Sequence, residues 1–206
     1  MIIAVDGPTA SGKGTIAKAL AARFNLPLLD TGLLYRAVGR QTLLNGGDPD
    51  RPEDALKGVE FPDALLDDPV LRNEATGSLA SRASVHPQVR KALFERQREF
   101  AQQDGGAVLD GRDIGTVIAP DADVKLFITA SIEARAARRH QEMQDRGAAT
   151  SLADIAADLE RRDARDTGRK DAPLKAAADA FVIDTSALPR DEAIAAVIET
   201  VKAALR

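Results

Sequence analysis

Short apolar runs alternate with longer amphipathic stretches along this chain. Met1-Ile2-Ile3-Ala4-Val5-Asp6 is apolar and β-branched up to its last residue and predicts a strand. Leu28-Leu29-Asp30, Ala107–Asp110, Val124–Thr129 and Phe181–Asp184 repeat the pattern. Each run ends on a polar residue: Asp6, Asp30, Asp110, Thr129 or Asp184. Between them the apolar spacing turns helical. Helices are predicted for Ile16–Arg23, for Leu33–Leu44 with its stop at Asn45-Gly46-Gly47, and for a short piece opened by Pro52. Further helices are predicted for Val70–Ala83, for Pro87–Gln102, for Ile132–Asp145 behind a Ser131 cap, from Ser151 to about Asp166, and for Asp191–Leu205. Arg146-Gly147 and Thr167-Gly168 read as helix ends and Thr31-Gly32 as a turn. Residues 58–69, punctuated by Gly58, Pro62 and Pro69, show no period. Buried strands separated by helices mean a parallel sheet covered on both faces, with ligands at the carboxyl ends of its strands.

The bulk properties narrow the function classes. The 206 residues suffice for one sizeable core with small appended parts. A net charge of −4 argues against general nucleic-acid or membrane-surface binding. The absence of cysteine excludes thiol chemistry and fits a cytoplasmic setting. No leader is expected ahead of a strand that starts at residue 2, and no apolar run approaches the ~20 residues of a membrane helix. His86 and His140 stand in polar surroundings and read as surface residues, which leaves no zinc site or histidine triad to build.

The first strand leads into Gly7-Pro8-Thr9-Ala10-Ser11-Gly12-Lys13-Gly14-Thr15, and a helix follows. That context turns the G-x-x-x-x-G-K spacing into a phosphate loop. Gly7 and Gly12 permit positive φ and close backbone approach, the turn and the helix dipole gather N–H groups around an anion, and Lys13 supplies a mobile charge. Position 14 is Gly14, where most such loops carry a magnesium-binding hydroxyl, and Thr15 comes one residue late. No protein ligand for a metal is therefore assigned. Mg²⁺ is expected to be held through phosphates and water.

Three more elements carry chemistry. Asp30-Thr31-Gly32-Leu33-Leu34-Tyr35-Arg36 puts an aromatic ring and an arginine beside a strand end; the alternative is a core-edge tyrosine with a surface arginine. Asp110-Gly111-Arg112-Asp113 puts an arginine between carboxylates, poised for an anion or merely for a local ion pair. Arg162, Arg165 and Arg169 share one face if their helix continues. Such a run is either a solvated, salt-bridged surface or a flap whose arginines lack a partner until phosphate arrives.

Gly-Lys-Gly-Thr resembles the small nucleoside monophosphate kinases, and the four elements in this order resemble the bacterial cytidylate kinases. Further matches are Ile114-Gly115-Thr116-Val117, Arg162-Asp163, Arg165-Asp166, Ala172-Pro173-Leu174, and Ser81 with Pro87-Gln88-Val89-Arg90. The likeness covers nearly the whole chain. It implies that Ser81, Arg90 and Asp113 hold cytosine, and that Arg36, Arg112 and Arg169 hold the monophosphate. Thr31 and Tyr35 would line that site, and Asp166 would meet the sugar. Arg138 and Arg162 would contact ATP phosphates, and Lys13, Arg112, Arg162 and Arg169 would serve the transfer. Residues 58–75 depart from the best-known members, which carry a longer insert there with a small antiparallel sheet.

The resulting expectation is an α/β, three-layer P-loop fold with a five-stranded parallel sheet, a single kinase domain over 1–206. Its parts would be a core of 1–30, 104–145 and 171–206, a monophosphate-binding insert of 31–103 and a lid of 146–170. The activity implied is transfer of a phosphoryl group from ATP to CMP or dCMP in pyrimidine nucleotide metabolism, by a cytoplasmic monomer with no nucleic-acid or membrane partner. Adenylate, guanylate or shikimate kinases are rival enzymes. A nucleotide-controlled switch would need an Asn-Lys-x-Asp guanine reader, which is absent.

Overall fold

Five strands form where the apolar runs stand: β1 (Ile2–Asp6), β2 (Leu28–Asp30), β3 (Ala107–Gly111), β4 (Val124–Thr129) and β5 (Phe181–Asp184). The computed structural model describes every residue of the chain except Arg146 and Ala148. The expected helix end at Arg146, which is also the first residue of the expected lid, lies outside the described residues. The strand order is β2-β3-β1-β4-β5. β1 pairs in parallel with β3 and with β4, and β4 with β5. This is the α/β P-loop class.

The described helices are α1 (Lys13–Phe24), α2 (Thr31–Leu44), α3 (Pro52–Lys57), α4 (Glu74–Ala83), α5 (Pro87–Ala101), α6 (Ile132–Asp145), α7 (Leu152–Thr167) and α8 (Arg190–Ala204). The chain divides into two compact units: residues 1–28 with 101–206, and residues 29–100. In the first, Ile3, Val5, Val108, Leu126 and Ile128 of the strands pack with Ile16, Leu20, Val197 and Val201 of α1 and α8. A smaller apolar seam of Ala136, Ile155 and Leu159 joins α6 to α7, with Ala10 against it. In the second unit, Leu34, Val38, Ala80, Leu71, Val89 and Leu93 form a separate core.

Four expectations are corrected. Thr31-Gly32 is the first turn of α2, not a connecting turn. The helix expected from Val70 starts only at Glu74, because the Asn73 side chain accepts from the Thr76 N–H at 2.8 Å and caps it, while Pro69–Arg72 forms a 3₁₀ turn. His86 is buried, its Nε2 2.9 Å from the Pro49 carbonyl oxygen, so it is no surface residue. The sheet is not covered throughout, since Phe181 and Val182 of the edge strand β5 are 44% and 61% exposed. The stretch 58–75 holds two 3₁₀ turns, Asp63–Asp67 and Pro69–Arg72.

Candidate active site

The carboxyl ends of β1, β3 and β4 bring the chemistry of the first unit together. Gly7 has φ 150°, and a Cβ there would lie 2.0 Å from the Ile128 carbonyl oxygen, so only glycine lets the loop leave β1 so close to β4. Gly12 at φ 90° ends the loop, and α1 begins at Lys13, directly after it, with the open N–H groups of its first turn. Lys13 is buried. Its Nζ donates to the Pro8 carbonyl at 3.3 Å and lies 3.9 Å from Asp110 Oδ1.

That lysine–carboxylate pair bears on the unusual Gly14. A Cβ at position 14 would sit 3.1 Å from Asp110 Oδ2, so a hydroxyl-bearing side chain would crowd the carboxylate. A hard oxygen ligand therefore stands beside the loop where the sequence pattern lacks one. One carboxylate fits Mg²⁺, a metal that keeps most of its water and takes one or two carboxylates plus phosphate oxygens. No cluster of three or more His, Cys, Asp or Glu among the described residues forms an all-protein metal cage.

Asp6, at the end of β1, ties the phosphate loop to the next functional segment. Its Oδ1 accepts from the Ile114 N–H and its Oδ2 from the Gly115 N–H, each at 2.8 Å. These N–H groups open a π-helical turn over Ile114–Ile118 that directly follows Asp113. Burial pushes the Asp6 carboxyl up to about 7; the two N–H donors oppose that rise, and the Asp113 and Asp110 carboxylates add to it. Asp113 itself is 4% exposed.

Arg112 lies on α7's side of the loop. Its Nη2 donates to Thr9 Oγ1 at 2.7 Å, its Nε to Asp166 Oδ2 at 3.0 Å, and its Nη1 to the Gly111 carbonyl at 3.1 Å. Asp166 also accepts from Arg169, and Arg162 reaches Asp158 at 3.9 Å. Burial works to raise the Asp166 carboxyl, but Arg112, Arg169 and Arg162 together outweigh it and hold it below the ordinary carboxylate range. Arg162 and Arg169 thus already face carboxylates, which corrects for these two the expectation that they wait unpaired for phosphate. Arg138 donates from Nη1 to Thr185 Oγ1 at 3.1 Å and to the Ser11 carbonyl at 3.5 Å, which puts it beside the loop.

The unit of residues 29–100 holds the remaining expected residues. Thr31 starts α2 and is 3% exposed. The Arg90 guanidinium lies over the Tyr35 ring at 5.6 Å, and both side chains are buried. Arg36 Nη1 donates to the Leu71 and Asn73 carbonyls, each at 2.7 Å, so this arginine also fastens the 3₁₀ turn before α4. Ser81 is buried, and its Oγ has no hydrogen-bond partner among the described residues. A buried hydroxyl left so costs about 1–3 kcal/mol, which a bound ligand would recover. Arg36, Ser81, Arg90, Tyr35 and Thr31 thus belong to one unit, and the phosphate loop, Arg112, Asp113, Arg138, Arg162, Asp166 and Arg169 to the other.

Sequence reasoning missed Asp6, Asp110 as a partner of Lys13, and the Arg135–Asp163 pair. Arg135 Nη1 and Nη2 donate to the two Asp163 oxygens at 3.1 and 2.5 Å. The available signals were weak: a carboxylate before a glycine loop, and an arginine in a helix rich in arginine.

A family model described as cytidylate kinase matches residues 3–203. The cytidylate kinase of a Caulobacter species is 50% identical over 206 residues, covering 98% of this chain and 95% of that protein. That of Cereibacter sphaeroides is 51% identical over 200 residues, covering 97% and 94%. That of Rhodopseudomonas palustris is 50% identical over 204 residues, covering 98% and 96%. Among solved structures, an uncharacterized protein of Eubacterium ventriosum superposes with TM-score 0.57 at 16% identity over 98% of both chains, a likeness of fold alone. The phosphate loop on β1, the arginine–carboxylate cluster on α7 and the family match over nearly the full length converge: the chain belongs to the cytidylate kinase family.

Proposed function

We propose that this chain transfers the γ-phosphoryl group of ATP to CMP or dCMP, giving ADP and the corresponding diphosphate. The observation that carries the reading is the Arg112 guanidinium, held between Thr9 of the phosphate loop and Asp166 of the α7 arginine cluster. An arginine between a phosphate loop and a helix that carries arginine and aspartate suits the space between donor and acceptor phosphates.

In this reading Gly7 to Thr15 cradle the donor phosphates, and Lys13 leaves the Pro8 carbonyl for them. Arg138 joins them from α6. Arg112, Arg162 and Arg169 gather around the transferring group, where their charge stabilises the equatorial oxygens. The bond from the γ-phosphorus to the bridging oxygen breaks, and a bond to an oxygen of the acceptor monophosphate forms. That oxygen is already anionic, so no strong general base is needed. Mg²⁺, held through phosphates and water beside Asp110, would neutralise charge on the β- and γ-oxygens.

Residues 31–103 form the monophosphate-binding insert of this proposal, and 146–170 its lid. Arg36 and Arg169 hold the acceptor phosphate, Thr31 and Tyr35 line its site, and Asp166 meets the sugar. Ser81, Arg90 and Asp113 read cytosine: a carboxylate accepts from its amino group, and arginine donates to N3 and O2. In this reading the chain works as a monomer in the cytoplasm on small molecules; among the described residues no helix is long and apolar enough to cross a membrane. A coupled ADP-release assay with ATP and a panel of CMP, dCMP, UMP, AMP, GMP and shikimate tests the reading. Turnover should be fastest with CMP or dCMP, and a preference for any other acceptor would overturn it.

A further inference from the structure

Thr9, in the phosphate loop, is held from two sides. Arg112 donates to its hydroxyl at 2.7 Å, and Arg135 Nη1 donates to its carbonyl at 3.1 Å. Both guanidiniums then reach α7, Arg112 at Asp166 and Arg135 at Asp163, one turn apart on the helix.

The two arginines differ in what surrounds them. Arg112 is half-buried in a cluster with Asp166, Arg169 and Arg162, where an arriving phosphate can exchange for a carboxylate. Arg135 is 4% exposed. Its Nε donates to the Ala130 carbonyl at 2.9 Å, just past the end of β4, and its two Nη atoms form a fork onto Asp163. All its acceptors are thus protein oxygens: a β4 end, the phosphate loop and α7. The apolar seam of Ala136, Ile155 and Leu159 with Ala10 lies on the same joint. A bidentate pair with both sides largely out of water is geometrically strict, and truncating one side leaves the other charge buried.

We propose that Arg135 and Asp163 are positioning residues for phosphoryl transfer: their ion pair seats α7 on the phosphate loop at Thr9. Resting on the phosphoryl-transfer reading above, this gives the pair a task that no phosphate contact performs. Arg162 is carried by α7 and Arg169 follows two residues past its end, so their place relative to the loop depends on how α7 is seated. An error of about 1 Å in such a placement can cost about a hundredfold in rate.

The test uses the full chain with Asp163→Asn, which keeps size and removes the charge. Turnover is expected to fall about tenfold to a hundredfold, with the KM for CMP changed less than about threefold. Hydrogen exchange of residues 152–167 should lose most of the protection that ATP with Mg²⁺ confers on the wild-type chain. Asp163→Glu should restore part of both. Arg135→Met combined with Asp163→Asn should be little worse than the single variant, as for two residues acting as one unit. The proposal is overturned if Asp163→Asn keeps wild-type turnover, or if turnover falls while ATP-dependent protection of α7 stays at the wild-type level. The exchange readout needs no acceptor, so it still tests the pair if the wild-type chain shows no transfer to CMP.

Discussion

Replacing Asp6 by asparagine should change stability in a way that depends on pH. In the folded chain the carboxyl is pushed from its ordinary 3.8 up to about 7, chiefly by burial. Between those values the folded state keeps a proton that the unfolded state has released. Wild-type stability then falls as pH rises, by ~1.4 kcal/mol per pH unit, and the loss is complete once pH passes the folded value. Across the interval from 3.8 to about 7 this amounts to roughly 4 kcal/mol. Asparagine is neutral like the protonated acid, but only its Oδ1 can accept, so one of the two bonds from the Ile114 and Gly115 N–H groups is lost at every pH. At pH 4, where the folded wild-type carboxyl still holds its proton, Asp6→Asn should be the less stable chain by about 1–3 kcal/mol, the cost of the N–H left unpaired. By pH 8 the difference should have moved in favour of Asp6→Asn by roughly 4 kcal/mol. Urea unfolding at intervals from pH 4 to 8 measures the difference, and groups common to both chains cancel in it. A difference that is flat across this range, or that favours the variant more at acid pH, would refute the reasoning. A carboxylate kept despite such a cost holds the turn that follows Asp113, which is the kind of site where function is kept at the expense of stability.

Three other outcomes are expected. Lys13→Met should leave the circular-dichroism spectrum intact and lower turnover at least a hundredfold, because the charge acts most on the transition state; near-normal kcat would sink the phosphate-loop assignment. Asp166→Asn removes the carboxylate that Arg112 and Arg169 share and should cost about 3–5 kcal/mol in urea unfolding, with millimolar phosphate recovering part; a loss below about 1 kcal/mol would argue against the cluster. Asp113→Ala should lower kcat/KM for CMP about tenfold to a hundredfold and narrow the gap to UMP, whereas Arg36→Ala should weaken all monophosphates alike; equal losses on CMP and UMP for Asp113→Ala would remove it as a base reader.

What could be read from the sequence was local. The strands stood out because parallel strands buried on both sides run as unbroken apolar stretches, and the phosphate loop because glycine spacing and strand–helix context lie within a few residues. The misread stretches are those where one side chain outweighs periodicity. Asn73 caps α4 and cuts the helix expected from Val70. β5 stays half open although its composition matches that of β3, since edge position is a property of the sheet, not of the run. The pairings at the site were invisible for a different reason. Arg112 meets Asp166 across 54 positions and Thr9 across 103, and Arg135 meets Asp163 across 28. A helical period says which charges share a face and nothing about what that face meets.

The distinction changes how the α7 arginines work. If they waited unpaired, phosphate binding would only relieve like-charge repulsion. With Asp166 already among Arg112, Arg169 and Arg162, an incoming phosphate must compete with a carboxylate for the same guanidiniums. The net gain is then the difference between two charge-assisted contacts, not the whole of one. Such an exchange lowers affinity for a lone phosphate while leaving the arginines oriented, so less side-chain ordering remains to be done when both nucleotides are bound. Asp166→Asn separates the two pictures: under exchange it should tighten inorganic phosphate binding, and under a waiting cluster it should leave that binding unchanged or weaker.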